Sequence, residues 1–201
     1  MRCSHLNRAL CTRVSILNMS EIKTASALAQ DKNFNEAIEV LDSFYSRGQA
    51  SRDDLIKVIP YFQKAGRYSE VEAYCEKVII PNLKKDSESV FSHRCVEIQD
   101  AFFNLALHKM YAKLSLCAKR EKAKLEEERF GQLSDDAFGK YQSKLALGDS
   151  IEERKGFEQV LETFGQDPGD WPSIFFEFVH NKLFKRDSQR VAFLLCVGLS
   201  D

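Results

Sequence analysis

Lys32-Asn33-Phe34-Asn35-Glu36-Ala37 and Gly66-Arg67-Tyr68-Ser69-Glu70-Val71 align with each other at an offset of 34 residues. Around them Ile22 pairs with Ile56, Ala25 with Ile59, Leu28 with Phe62, Leu41 with Cys75 and Phe44 with Val78. A repeat of this period marks two antiparallel helices that cannot bury their apolar faces alone and so stack on neighbours. The first unit reads as a helix over 21–31 and another over 35–46. The second reads as a helix capped at Ser51-Arg52-Asp53-Asp54 and reaching Lys64, a turn at Ala65-Gly66, and a helix over 69–79 that stops near Pro81. Pro60 is expected to kink its helix or mark its start.

The residues at these positions resemble the tetratricopeptide repeat. That family puts a small residue in helix A, a tight turn next, and an aromatic after the turn. Helix B then carries a small residue and, a turn later, a large apolar one. The first unit offers Ala25, Phe34, Ala37 and Leu41; the second offers Gly66, Tyr68, Val71 and Cys75. No Trp fills the early helix A position, and Lys32 stands where Gly66 sits in the second unit. The likeness covers about 20–85. It implies a surface that holds another protein or a peptide in a groove lined by helix A of each unit. On that basis the groove residues are Ile22, Ser26, Ile56, Gln63 and Lys64, with Lys23 and Lys57 at the edge. Phe34 and Tyr68 are expected in equivalent buried positions just after their turns. Lys23 and Lys57 recur at one column of the basic clamp with which some family members grip acidic C-terminal tails, but Ile22, Ser26, Ile56 and Pro60 fill the other columns, so the clamp is not reproduced. The stretch 54–78 is also similar to a pentatricopeptide unit, which implies single-stranded RNA as an alternative ligand.

The remaining composition favours helix. Gly and Pro number 9 and 4, and 15 Phe suit helix-to-helix packing. From 87 to 129 there is no Gly or Pro, and Phe91, Cys95, Ile98, Phe102, Leu105, Ala112 and Leu116 recur at helical spacing. This reads as a central helix, with 119–129 a charged, solvated extension. Gly131-Gln132-Leu133-Ser134 reads as a joint. Ser134-Asp135-Asp136 and Ser150-Ile151-Glu152-Glu153 read as caps of two further helices. Trp171, beside the Gly165–Asp170 loop, opens an aromatic helix and is a candidate partner anchor.

The fold class expected is all-α: tetratricopeptide-like hairpins with a long central helix and a C-terminal helical cap. The divisions are 1–18 (a basic extension), 19–85 (two hairpins), 86–130 (the central helix) and 131–201 (the cap). Residues 1–18 carry Arg2, Arg8 and Arg13 and no acidic residue. They read as a dispensable extension upstream of Met19, or as a mitochondrial transit peptide.

Charge is balanced, 29 basic against 30 acidic residues, so neither nucleic acid nor a membrane surface is demanded. No apolar run reaches the roughly 20 residues that cross a bilayer. The six Cys form no C-x-x-C and read as reduced thiols of a cytoplasmic protein. No phosphate-cradling glycine loop or nucleophile elbow occurs. Glu177 and His180 form a lone E-x-x-H, and His93, Cys95 and Glu97 crowd one stretch without zinc-site spacing. The expectation is a non-enzymatic protein-interaction module (adaptor, chaperone or small antagonist) with no cofactor and no metal. The alternative is an enzyme using metal or thiol chemistry around His180 or Cys95.

Overall fold

The computed structural model describes residues 21–48 and 50–164, and they form an all-α fold. The elements are α1 (21–30), α2 (Phe34–Ser46), α3 (Arg52–Leu55), α4 (Ile59–Lys64), α5 (Tyr68–Tyr74), a π segment (Cys75–Ile79), α6 (Ile80–Val90), α7 (Val96–Arg120) and α8 (Lys124–Phe164). No described helix is long and apolar enough to cross a membrane. The chain divides into units of residues 1–152 and 153–201. The packing below belongs to the first.

Helices pair into hairpins through one kind of turn. After α1, the Asn33 amide donates to the Leu28 carbonyl (2.8 Å) with Lys32 at φ 65°. After α4, the Arg67 amide donates to Phe62 (2.9 Å) with Gly66 at φ 74°. After α7, the Ala123 amide donates to Ala118 (3.0 Å) with Lys122 at φ 61°. Each is a left-handed helix cap whose six-to-one bond satisfies a carbonyl the helix end leaves orphaned. The first two lie 34 residues apart, as the aligned sequence does.

The turns gather at one edge. Phe34 packs on Tyr61 (ring centroids 6.2 Å), and Lys64 Nζ sits 5.4 Å over the Phe34 ring. Gln63 Nε2 donates to Glu121 Oε1 (2.7 Å), and the Tyr68 hydroxyl donates to Glu126. Successive second helices run parallel. Arg67 reaches Asn35 and Tyr74 reaches Asp42 between α2 and α5, while Arg129 pairs with Glu72 (2.6 Å) between α8 and α5. One core joins these layers, built on Leu41, Phe44, Phe62, Ile79, Met110 and Leu114.

Several boundaries differ from the sequence reading. The helix expected to run unbroken from its Ser51 cap to Lys64 is two pieces. Ser51 does cap α3, accepting from the Asp54 amide at 3.3 Å. Pro60 then has no N–H for the Ile56 carbonyl, so the chain turns at 56–58 and restarts with Pro60 in the first turn of α4. Pro81 does not stop the following helix. The π segment widens the coil just before it, and α6 continues to Val90 with Asn82 Nδ2 bonded to the Val78 carbonyl at 2.8 Å.

The central helix, expected over 86–130, is α7 alone. A turn at 91–95 precedes it, and the expected charged extension is instead the last residues of α7, the Lys122 turn and the start of α8. The joint at Gly131–Ser134 and the caps at Ser134 and Ser150 are not realised, because α8 runs through all three. Gly131 costs a helix only about 1 kcal/mol, and burial of Phe130, Ser134 and Ala137 against neighbouring layers holds the helix straight on. Phe34 and Tyr68 are half-buried rather than buried, since they sit at the edge where the turns meet.

Candidate functional site

The first helices of the second and third hairpins leave an open groove of about 500 Å³ between them. Asp53, Ile56 and Lys57 line one side. His108, Lys109, Ala112, Lys113 and Leu116 line the other, on α7. Ile56 is 4% exposed and forms its apolar floor, while Leu116 is 55% exposed at its rim.

The walls are fixed from behind. Arg52 lies over the Phe91 and Phe102 rings (5.1 and 5.7 Å) and pairs with Asp86 (2.9 Å), which ties α3 to α6 and α7. On the α7 side, His108 Nδ1 stands 3.0 Å from the Ser134 carbonyl. A carbonyl only accepts, so Nδ1 is the donor. Ser134 Oγ donates in turn to the His108 carbonyl at 3.2 Å. This exchange locks α7 to α8 beneath the groove.

Charge is unevenly matched there. Lys109 pairs with Asp53 across the groove at 3.0 Å, and Lys57 pairs with Asp54 at 2.6 Å. The Lys109 ammonium holds the Asp53 carboxyl below its ordinary range. Lys113 is half-buried and has no salt bridge among the described residues. Burial, with Lys57 and Lys109 nearby, pulls its ammonium below the ordinary lysine range, although Asp53 opposes the shift.

Of the residues expected to bind a partner, Ile56 and Lys57 line this groove. Ile22 packs on the core, and Ser26 Oγ donates to the Ile22 carbonyl (2.7 Å) within α1. Lys23 is exposed on α1. Gln63 and Lys64 are engaged at the edge where the turns meet. Trp171, Glu177 and His180 lie outside the described residues. The α7 contribution lay beyond the aligned repeats, although Lys109, Ala112, Lys113 and Leu116 share one helical face by spacing alone.

The chemistry around the other candidates is modest. His93 lies in the 91–95 turn rather than on a helix with Glu97, and Cys95 is the residue before α7. Burial foremost, with Glu72 close by, pushes the Cys75 thiol up to about 12, and burial likewise raises Cys117. Neither is a thiolate near neutrality. Among the described residues no three His, Cys, Asp or Glu gather where a metal would sit. No family model, curated protein or solved structure significantly matches the chain.

Proposed function

We propose that this chain is a non-enzymatic protein-binding module, built from tetratricopeptide-like hairpins, that takes a segment of another protein into the groove between α3 and α7. The observation that carries the reading is the groove's make-up. An apolar floor, an exposed leucine and a lysine without a salt bridge among the described residues meet where the first helices of two stacked hairpins face each other. Stacked hairpins use this face for partners because side chains of successive first helices project into one continuous surface. The repeated cap at Lys32 and Gly66, 34 residues apart, supports the kinship with such repeats. Adaptor, chaperone and antagonist roles all use a surface of this kind.

The test compares the native protein in extract with the purified chain by size-exclusion chromatography. The native protein is expected to elute in a larger complex, and Leu116→Asp is expected to return it to the size of the purified chain. Identical elution from extract and from pure solution overturns the reading.

A further inference from the structure

We propose that the segment held by the α3–α7 groove is an acidic amphipathic stretch of a partner protein, with one carboxylate meeting Lys113 and an apolar side chain one turn away lying on Leu116 and Ile56. This rests on the protein-binding reading and narrows it to a class of partner.

Charge complementarity is the first argument. The lining carries three ammonium groups, on Lys57, Lys109 and Lys113, against the single carboxylate of Asp53. Asp53 is committed to Lys109, and Asp54, from outside the lining, is committed to Lys57. Lys113 is left with a half-buried stem, two like charges near it and, among the described residues, only Asp53 as a nearby acid, which it shares with Lys109. An incoming carboxylate relieves that environment, whereas a basic segment worsens it.

Spacing is the second argument. Lys113 and Leu116 stand three residues apart on α7, so their side chains are neighbours on one face. A partner that alternates an acid with an aliphatic residue at one-turn spacing meets both at once. The floor at Ile56 is apolar, and about 500 Å³ accommodates a few side chains. A nucleic acid fits less well. No Phe, Tyr or Trp lines the groove for a base to stack on, and the His108 ring in the lining is already held by the Ser134 carbonyl and lies against Phe138.

The experiment places the photoreactive residue p-benzoylphenylalanine at position 116 of the full chain, in cells that express the protein. Attached segments are identified by mass spectrometry. Leu125, 84% exposed and outside the groove, serves as the control position. The attached segment is then synthesised with a fluorescent label and titrated against the parent chain, Lys113→Gln and Lys113→Glu at low and high salt.

An acidic, leucine-bearing segment is expected. Its Kd should rise at least tenfold for Lys113→Glu and less for Lys113→Gln, and should rise with salt for the parent chain, while melting temperatures stay equal. Basic or neutral segments, attached nucleic acid, or an affinity indifferent to both Lys113 variants overturn the acidic assignment. Basic or neutral segments whose binding Leu116→Asp abolishes leave the protein-binding reading standing. No product above the Leu125 control overturns both.

Discussion

Lys32 and Gly66 hold the same left-handed backbone, φ 65° and 74°, at the same point of successive hairpins. A β-carbon in this region crowds the neighbouring carbonyl by about 1–2 kcal/mol, and glycine avoids that crowding while losing more chain entropy on folding. Lys32→Gly and Lys122→Gly are each expected to stabilise the chain by about 0.5–1 kcal/mol, read as a rise in urea midpoint. Gly66→Ala should destabilise by about 1 kcal/mol through conformation alone, because nothing lies within 4 Å of an added β-carbon. Unchanged midpoints in all three would show that the turns are not caps.

Ile56 and Leu116 share the groove but not its mechanics. Ile56→Ala should cost about 2–5 kcal/mol and Ile56→Asp should unfold the chain, because the floor belongs to the core. Leu116→Asp should stay within about 0.5 kcal/mol of the parent. Thermal melts of the three proteins decide it, and a stable Ile56→Asp would mean the floor is open to water.

Phe34 and Tyr68 should cost less than fully buried aromatics when truncated. About 1–3 kcal/mol is expected for each alanine variant, given their partial burial. Tyr68→Phe isolates the hydroxyl bond to Glu126 and should cost about 0.5–1.5 kcal/mol. Denaturant titration at neutral pH reads both.

Gly148 sits where α8 crosses Ile98. An added β-carbon would stand 2.6 Å from Ile98 Cδ1 and 3.1 Å from its backbone nitrogen. Gly148→Ala is therefore expected to destabilise by about 1–3 kcal/mol, despite alanine's better helix propensity. Ile98→Ala should recover part of this loss in a double-mutant cycle, and simple additivity would remove the steric explanation.

Glu152 answers to Arg94 and to the Cys95 amide. The Arg94 guanidinium foremost holds its carboxyl down at about 2, against an ordinary value of 4.5. The stability contributed by a depressed carboxylate is complete above the ordinary value and disappears as pH falls through the folded one. The chain should therefore lose melting temperature between about pH 4.5 and pH 2, and Glu152→Gln should flatten that part of the profile. A parallel profile in the variant would assign acid sensitivity elsewhere.

The helices between 21 and 79 were legible because helical periodicity needs only side-chain classes to be visible, and because Ser51, Pro60 and Gly66 punctuate the backbone whatever the packing. The third turn was not. Lys122 sits among Lys, Glu and Arg that suit an exposed helix equally well, and only burial of Ala118 and Phe130 fixes the reversal there. The same blindness placed a joint at Gly131, where an intrinsically weak helix position is overruled by tertiary contact. Ile56 and Lys57, singled out from the sequence alignment of 20–85, do line the groove. Lys113 and Leu116 became part of it only when α7 was laid beside α3.

The left-handed caps all fall on one edge, so successive hairpins hold on to their neighbours side by side. Held at its two termini in an optical trap, such an arrangement should lengthen in discrete steps, with an outer layer peeling before its neighbour yields. The groove belongs to the second and third layers. A load that strips α1 and α2 would take away Tyr45, whose hydroxyl donates to the Asp54 carbonyl in α3, and part of the core to which Ile56 belongs. A partner seated in the groove would therefore raise the force of the first step as well as the later one.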